Sequence, residues 1–339
     1  MSDRPARGGR DALPWGAIRD RGRQFPVARA VSEVKAMSAQ TPRILIISPV
    51  RNEAAHIERV VRAVAAQELV PARWIVIDDG STDRTLELLR RLEDEVPFLT
   101  VTERLRAVPE GATRDRLARA AAPRNFNAGL ALADWREYTH VMKLDGDIEL
   151  PPHYFRTLMD RFAADPKLGL AGGVLEEPTA EGPMRPIKIP ANHIHGALKC
   201  YSRECFEAIG GVQERLGWDT IDETYARMHG YDTVSFRELV SVHHRPIGSA
   251  DGVLRGRARH GECAYITHYS PLWVTLRSLK VACSRPRVLS GAAFLFGYTR
   301  AAARGTERVP DAAYRAFTRR ELRQRMARAV LVSRSTSAR

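Results

Sequence analysis

Three short apolar runs, Ile44–Ile47, Trp74–Ile77 and His140–Leu144, each stop abruptly at a polar, turn-prone segment. That repeat admits few folds, because apolar runs of this length between turn signals have the dimensions of buried strands. Between the first two runs, Ala54–Gln67 carries Ile57, Val60, Val61 and Val64 at helical spacing; after the second, Thr82–Glu95 carries Leu86, Leu88, Leu89 and Leu92. Alternating strands and helices predict an α/β fold with a mostly parallel central sheet and helices on both faces. Further along, Thr100-Val101 reads as a third strand, and Ala121–Leu132, Pro152–Ala164, Glu204–Ile209 and Asp222–His229 read as helices. Tyr231–His243 holds one or two late strands, whereas the Gly- and Pro-rich stretch Gly169–Ile189 reads as loops and short strands.

Charge divides the chain into three. The formal net charge is +13, yet residues 41–251 are slightly acidic. The basic character lies in residues 1–40 and above all in 252–339, where 18 Lys and Arg face 4 Asp and Glu. A central domain of that sign is not a nucleic-acid-binding core, and no aromatic-interleaved basic motif appears at either end. Residues 1–40 show no sustained period and read as a disordered extension, with Met37 available as an internal start. Residues 41–251 read as the catalytic domain and 252–339 as a basic, amphipathic helical region. Within that region, 272–283 is amphipathic and 288–298 is apolar, bracketed by Arg277, Lys280, Arg285, Arg287 and Arg300. Such a pair suits helices lying on an anionic membrane surface, the alternative being core helices packed under the domain. The N-terminus lacks the apolar stretch of a signal peptide, no apolar run is long enough to span a bilayer, and the four cysteines show no Cys-x-x-Cys spacing. The expected location is therefore the cytoplasm, peripheral at the inner face of the cell membrane.

The polar segments that end the strands carry the chemistry. Ser48-Pro49-Val50-Arg51-Asn52-Glu53 follows the first strand, Asp78-Asp79-Gly80-Ser81 the second, and Asp145-Gly146-Asp147 the His140–Leu144 run. All three fall at the carboxyl ends of predicted parallel strands, where open α/β sheets bind ligands. Two carboxylates one glycine apart suit Mg²⁺ or Mn²⁺, hard ions that bridge diphosphates. Taken singly, Asp-Gly-Asp is equally a solvated turn, and Asp-Asp-Gly-Ser a turn in which Ser81 or Thr82 caps a helix.

Taken together and in this order, from about Arg43 to about Arg245, the motifs resemble the family 2 glycosyltransferases, which have the GT-A fold, and among them the non-processive bacterial enzymes of polysaccharide and glycolipid synthesis. The resemblance implies an inverting, metal-dependent transfer from a nucleotide-sugar, by preference a UDP-sugar, to a saccharide or polyprenyl-linked acceptor in cell-surface polysaccharide synthesis. It assigns Pro49, Arg51, Glu53, Asp78, Asp79, Asp145 and Gly196 to the nucleotide-sugar, with Arg124 where the family usually has a lysine before Asn-x-Gly. Asp145 and Asp147 match the metal motif. In His243-His244-Arg245, His244 is a candidate third ligand and Arg245 a phosphate clamp; His193 and His195 are weaker candidates. The Gln-x-x-Arg-Trp motif of processive members is absent, which implies a single transfer.

An inverting transfer needs one base for the acceptor hydroxyl. Spacing from Gly230-Tyr231 selects Asp219, while matching an adjacent acidic pair selects Asp222-Glu223; both stay open. Two other readings compete. A nucleotidyltransferase of similar fold would need a glycine-rich phosphate loop, and residues 49–53 contain no glycine. A catalytically inactive membrane-associated scaffold would not need the acids. A dehydrogenase is disfavoured by the missing Gly-x-Gly-x-x-Gly.

Overall fold

The computed structural model describes residues 41–104, 120–179, 182–245 and 252–337, with side chains through residue 327 except at 182. The expectations for residues 1–40, including Met37, lie outside the described residues. Every described strand and helix belongs to one compact unit that begins at Pro42.

The three apolar runs form strands β1 (Ile44–Val50), β2 (Arg73–Asp78) and β4 (His140–Leu144), and Leu99–Glu103 forms β3. These four are parallel, in the order β3-β2-β1-β4. β1 is buried on both sides. Ile44 and Ile46 face α1 (Ile57–Ala65), α2 (Thr85–Glu95) and α4 (Tyr154–Ala164); Leu45 and Ile47 face α3 (Ala121–Leu130) and α5 (Arg203–Ala208). A strand covered on both faces needs an unbroken apolar run, which is why these were readable.

Beyond β4 the sheet departs from the expected mostly parallel arrangement. The order continues with β8 (Leu198–Ser202), β6 (Leu168–Thr179), β9 (Asp232–His243) and β5 (Ile148–Glu149), and β7 (Gly182–Pro186) pairs with β6. β8 is antiparallel to both β4 and β6, and β6 runs parallel to β9. The sheet is mixed, because β8 enters between β4 and β6 against the direction of both. The Gly169–Ile189 stretch is also corrected: all but the first residue of the twelve-residue strand β6 falls within it. Its glycines mark close backbone approach rather than loops. A Cβ at Gly172 would meet the Leu198 carbonyl oxygen at 2.5 Å, and one at Gly173 the Leu239 oxygen at 2.1 Å. The second contact comes from a bulge, since the β6–β9 register jumps from Gly173↔Phe236 to Val174↔Val240.

α6 (Trp218–Met228) begins four residues before the predicted Asp222. The C-terminal region is helical: α7 (Val253–Ile266), α8 (Pro271–Ala282), α9 (Leu289–Ala303) and α10 (Ala312–Ser337). It continues the catalytic core: Ile221 of α6 packs with Ile266, Val309 and Tyr314, and Arg227 of α6 bonds Glu321 of α10 at 2.7 Å. Among the described residues no helix is long and apolar enough to cross a membrane.

α7 and α9 touch backbone to backbone. A Cβ on Gly261 would lie 1.9 Å from the Phe294 oxygen, and one on Gly297 1.8 Å from the Ala258 oxygen. Gly297→Val should therefore force the helices apart and lower the unfolding free energy by about 1–3 kcal/mol, read as a lower urea midpoint with secondary structure retained.

Candidate active site

The loops after β1 and β2 are sewn together by polar side chains. The Asn52 backbone N–H donates to Ser81 Oγ at 2.9 Å, and the Thr82 N–H donates to Asn52 Oδ1 at 2.8 Å. The Glu53 N–H donates to Thr85 Oγ1 at 2.8 Å. Asn52 holds φ +53°, a left-handed conformation that asparagine tolerates better than most residues. Within the second loop the Ser81 N–H and hydroxyl both donate to the Asp78 carboxylate, so Asp78 shapes the turn that presents Asp79. Both aspartates are buried, as is Glu53, whereas Arg51 is half-buried. Pro49 lies inside β1, opposite Ile77.

At the end of β4, the Asp145 N–H donates to the Ala197 carbonyl at 2.8 Å. Gly146 is required by space, since a Cβ there would lie 2.8 Å from Val50 Cγ1 and 3.4 Å from Glu53 Cγ. The chain then forms the two-residue strand β5 (Ile148–Glu149), which pairs antiparallel with the end of β9, Ile148 opposite His243. This pairing brings the His243-His244-Arg245 segment to the Asp-Gly-Asp turn. His243 faces it, with Nε2 3.3 Å from Asp147 Oδ2. His244 turns away: its Nε2 lies 2.7 Å from Glu149 Oε2, and its ring stacks on His56 with centroids 5.3 Å apart. The structure thus puts the neighbouring histidine where His244 was expected. Arg245 donates to Glu53 Oε2 at 2.5 Å and to the Asn52 carbonyl at 3.3 Å, tying the end of β9 to the first loop. Burial raises the Asp145 carboxyl above its usual range, against the pull of Lys143. Burial also acts to raise Asp147, but the hydrogen bond and charge of His243, with Arg245, outweigh it and hold Asp147 low.

Two lysines that carry no recognisable motif organise the floor. Lys143 of β4 and Lys199 of β8 are directly opposed in register, and both are buried. Like charges so placed repel, and each has its own relief. Lys143 pairs with Asp145. Lys199 donates to both oxygens of Asp222, at 2.8 and 3.1 Å, and to the backbone carbonyl of Asp219 at 2.5 Å. Between them stands Trp218, with its ring centroid 5.6 Å from Lys143 Nζ and 5.3 Å from Lys199 Nζ. Gly196 leaves room for that ring, since a Cβ there would meet Trp218 at 3.1 Å and Asp219 Cβ at 3.5 Å. Burial alone would lower the Lys199 pKa, but Asp222, Glu223 and Asp219 raise it above the usual lysine value. A lysine inside an otherwise apolar strand was the readable sign of this network.

The two candidate bases now separate by environment. Asp222 is enclosed: besides Lys199 it accepts from Tyr201 Oη at 2.5 Å and from the Glu223 N–H at 2.6 Å. Glu223 accepts from the Ile194 N–H at 2.9 Å and lies 3.0 Å from His193 Nδ1. Asp219, in the first turn of α6, is half-buried and lies with Trp218 against Gly196. His195 lies between these groups. Burial lowers it to about 4, helped by His193 and His243, and its buried Nε2 has no hydrogen-bond partner. Arg124 is the outlier, half-exposed and 3.8 Å from Glu214 on a surface hollow of about 250 Å³ that Ala120, Arg215 and Thr306 also line.

Among the described residues no three His, Cys, Asp or Glu side chains close around an ion by themselves. Asp145, Asp147 and His243 instead make an open edge of two carboxylates and an imidazole whose Nδ1 is buried and unpartnered. Such a donor set fits Mg²⁺ or Mn²⁺ completed by phosphate oxygens, the usual way these ions are held.

Residues 45–212 match the family model Glycosyl transferase family 2, a span that includes β1, the Asp-Gly-Asp turn and β8 and ends before α6 and β9. Validoxylamine A glucosyltransferase of Streptomyces hygroscopicus subsp. limoneus is 26% identical over 148 residues, 43% of this chain and 29% of that protein. The chain thus matches under a third of that relative's length. Among solved structures, GalNAc-T7 with UDP, GalNAc and Mn²⁺ superposes with TM-score 0.51 at 11% identity, over 80% of this chain and 55% of that one. Mannosyltransferase PcManGT of Pyrobaculum calidifontis, with GDP-Man and Mn²⁺, superposes with TM-score 0.49 at 19% identity, over 86% and 90% of the two chains.

Two measurements test the site's internal chemistry. Lys199→Met should leave Asp222 and Glu223 buried without their cation and cost about 3–5 kcal/mol of stability, measured by urea unfolding. Burial disfavours protonated His193, but Glu223 outweighs it and raises the pKa above 6.5. That ion pair contributes fully below pH 6.5 and is lost as pH rises through the raised value; an NMR titration should show this, and Glu223→Gln should bring the midpoint down.

Proposed function

The chain belongs to glycosyltransferase family 2 and is a glycosyltransferase; from that premise we propose an inverting, metal-dependent enzyme that moves one sugar from a UDP-sugar to a saccharide or polyprenyl-linked acceptor in cell-surface polysaccharide synthesis. We place it in the cytoplasm at the inner face of the cell membrane. The observation that carries the reading is the shared lysine floor: Lys143 pairs with Asp145, Lys199 donates to the Asp219 carbonyl, and the Trp218 ring lies within 5.6 Å of both ammonium groups.

The nucleotide lies across the ends of β1 and β2, against Pro49, Arg51 and the Asp79 turn held by Asp78. Glu53 and Arg245 fix the first loop to the end of β9, so the loop is rigid before the donor arrives. Asp145, Asp147 and His243 are the residues that would hold a divalent metal, which would supply charge neutralisation for the departing nucleoside diphosphate. His243 takes the role expected of His244. His195, kept neutral by burial, offers its free Nε2 to the sugar or diphosphate as a hydrogen-bond partner without added charge.

Asp219 is the base. As the acceptor oxygen forms its bond to the anomeric carbon and the bond from that carbon to the diphosphate oxygen breaks, the acceptor proton passes to the Asp219 carboxylate. Asp222 is unsuited to this, because Lys199, Tyr201 and the Glu223 N–H already occupy its oxygens. Its task is to fix Lys199, which in turn anchors the Asp219 carbonyl. The nucleotidyltransferase alternative gains nothing here, since the first loop is fastened by side chains and has no glycine cradle.

With Mn²⁺ and a panel of nucleotide-sugars, the protein should hydrolyse one donor slowly and transfer it when an acceptor is supplied. Asp219→Asn should bind UDP normally and lose transfer by about 10²-fold or more, while Asp147→Ala should lose the Mn²⁺-dependent part of UDP binding. Transfer retained by Asp219→Asn and lost in Asp222→Asn would reverse the base assignment.

A further inference from the structure

We infer that the outer face of the α8–α9 pair is a docking surface for an anionic phospholipid bilayer, a deepening that rests on the transfer reading above for its purpose. α8 exposes Leu272, Leu276 and Leu279, spaced i, i+4, i+7 along one side, each at least half accessible. The connection to α9 exposes Val288 and Leu289, and α9 adds Leu295 and Phe296. These are not remnants of a core. The opposite sides of both helices already have one, since Val274 and Phe294 pack with Ala264 and Tyr298. α8 and α9 also meet closely, with a Cβ at Gly291 falling 2.5 Å from the Ser278 oxygen. Large side chains gathered outside a completed core mark a surface with a partner.

Charge says which partner. From Cys263 to Thr306 the chain has no Asp or Glu, while Arg277, Lys280, Arg285, Arg287, Arg300 and Arg304 lie within that span. The first four are exposed on or beside the leucine face. Arg277 lies over the rings of Trp273 and Phe294 at the edge of the inner cluster, and Arg300 lies 5.5 Å from the Phe296 ring while donating to Glu262 at 3.4 Å. Lys280, Arg285 and Arg287, exposed beside the leucines, are placed to reach lipid phosphates while the apolar groups enter the acyl boundary. No described helix can cross a bilayer, so the contact is with its surface.

The surface also has a position that suits the reaction. α7 lies between it and the base: Gly217, at the start of α6, packs on Cys263 of α7, where a Cβ would be 3.6 Å away. His260 of α7 is near enough to Asp219 to feel its charge. The other side of α7 meets α9 through Gly261 and Gly297. About one helix diameter, roughly 10 Å, therefore separates Asp219 from the helices that carry the apolar face. An acceptor whose lipid stays in the bilayer would have its reacting hydroxyl presented near the base.

Flotation of the full chain with vesicles tests this. The protein should float with phosphatidylcholine vesicles containing phosphatidylglycerol and stay behind with phosphatidylcholine alone. Leu276→Glu combined with Phe296→Glu should reduce flotation by about tenfold or more, and Arg285→Glu with Arg287→Glu by a similar factor that shrinks as salt is raised. Both variants should keep the wild-type melting temperature and donor hydrolysis. The docking surface is overturned if the wild type does not float, if the Leu276 and Phe296 variant floats like wild type, or if those substitutions instead dissolve a lipid-free dimer seen by light scattering. Flotation without donor hydrolysis would sink the transfer reading and uphold the docking surface, whereas hydrolysis without flotation would do the reverse.

Discussion

Two buried lysines facing each other across neighbouring strands would repel in any sheet, and the site depends on how Lys143 and Lys199 are reconciled. Each is neutralised by acids from a different part of the chain: Lys143 by Asp145 at the end of its own strand, Lys199 by Asp222 and Glu223 of α6. The indole of Trp218 lies near both ammonium groups and offers each an aromatic surface. The Asp-Gly-Asp turn and the start of α6 are thereby joined through one electrostatic requirement. α6 cannot drift from the sheet without leaving Lys199 buried and unpaired, which is a far larger penalty than loss of a surface ion pair.

The same requirement separates acids that look alike in the sequence. Asp219, Asp222 and Glu223 all sit in the first two turns of one helix. Two are committed to the lysine and to His193, and the one with an open carboxylate contributes to the lock only its backbone oxygen. Asp219 is thus positioned by its main chain, and in the proposed role of base its side chain need not be restrained by a partner that would compete for the proton.

How far the amino-acid order could be read depends on how each element is buried. β1, β2 and β4 are covered on both faces and are followed by polar segments, so their presence and the loops beyond them were evident, although β1 runs on through Pro49 and Val50, which read as loop. β6 was misread because the tight backbone contacts that need Gly172 and Gly173 mimic loop composition. β8 was missed because Lys199 interrupts its apolar run, and β5 is only two residues long. Asp145, Asp147 and Asp219 drew notice by type and order, and they stand at the end of β4 and the start of α6. The choice between His243 and His244, and the enclosure of Asp222, depend on strand register and on contacts between distant segments, which no local pattern encodes. Arg124 was picked for its charge and place in a motif, yet it faces Glu214 at the surface.

The bulge in β9 has a consequence for which imidazole meets the carboxylates. Side chains along a strand alternate between faces, so adding or removing one residue exchanges the two sets. The extra residues between Phe236 and Val240 set the count by which His243 arrives at Asp147 while His244 is turned toward Glu149 and His56. A pair of adjacent histidines after such a bulge is a two-position selector. A one-residue slip of the pairing between β5 and β9 would present the second imidazole instead of the first, with no substitution at either histidine.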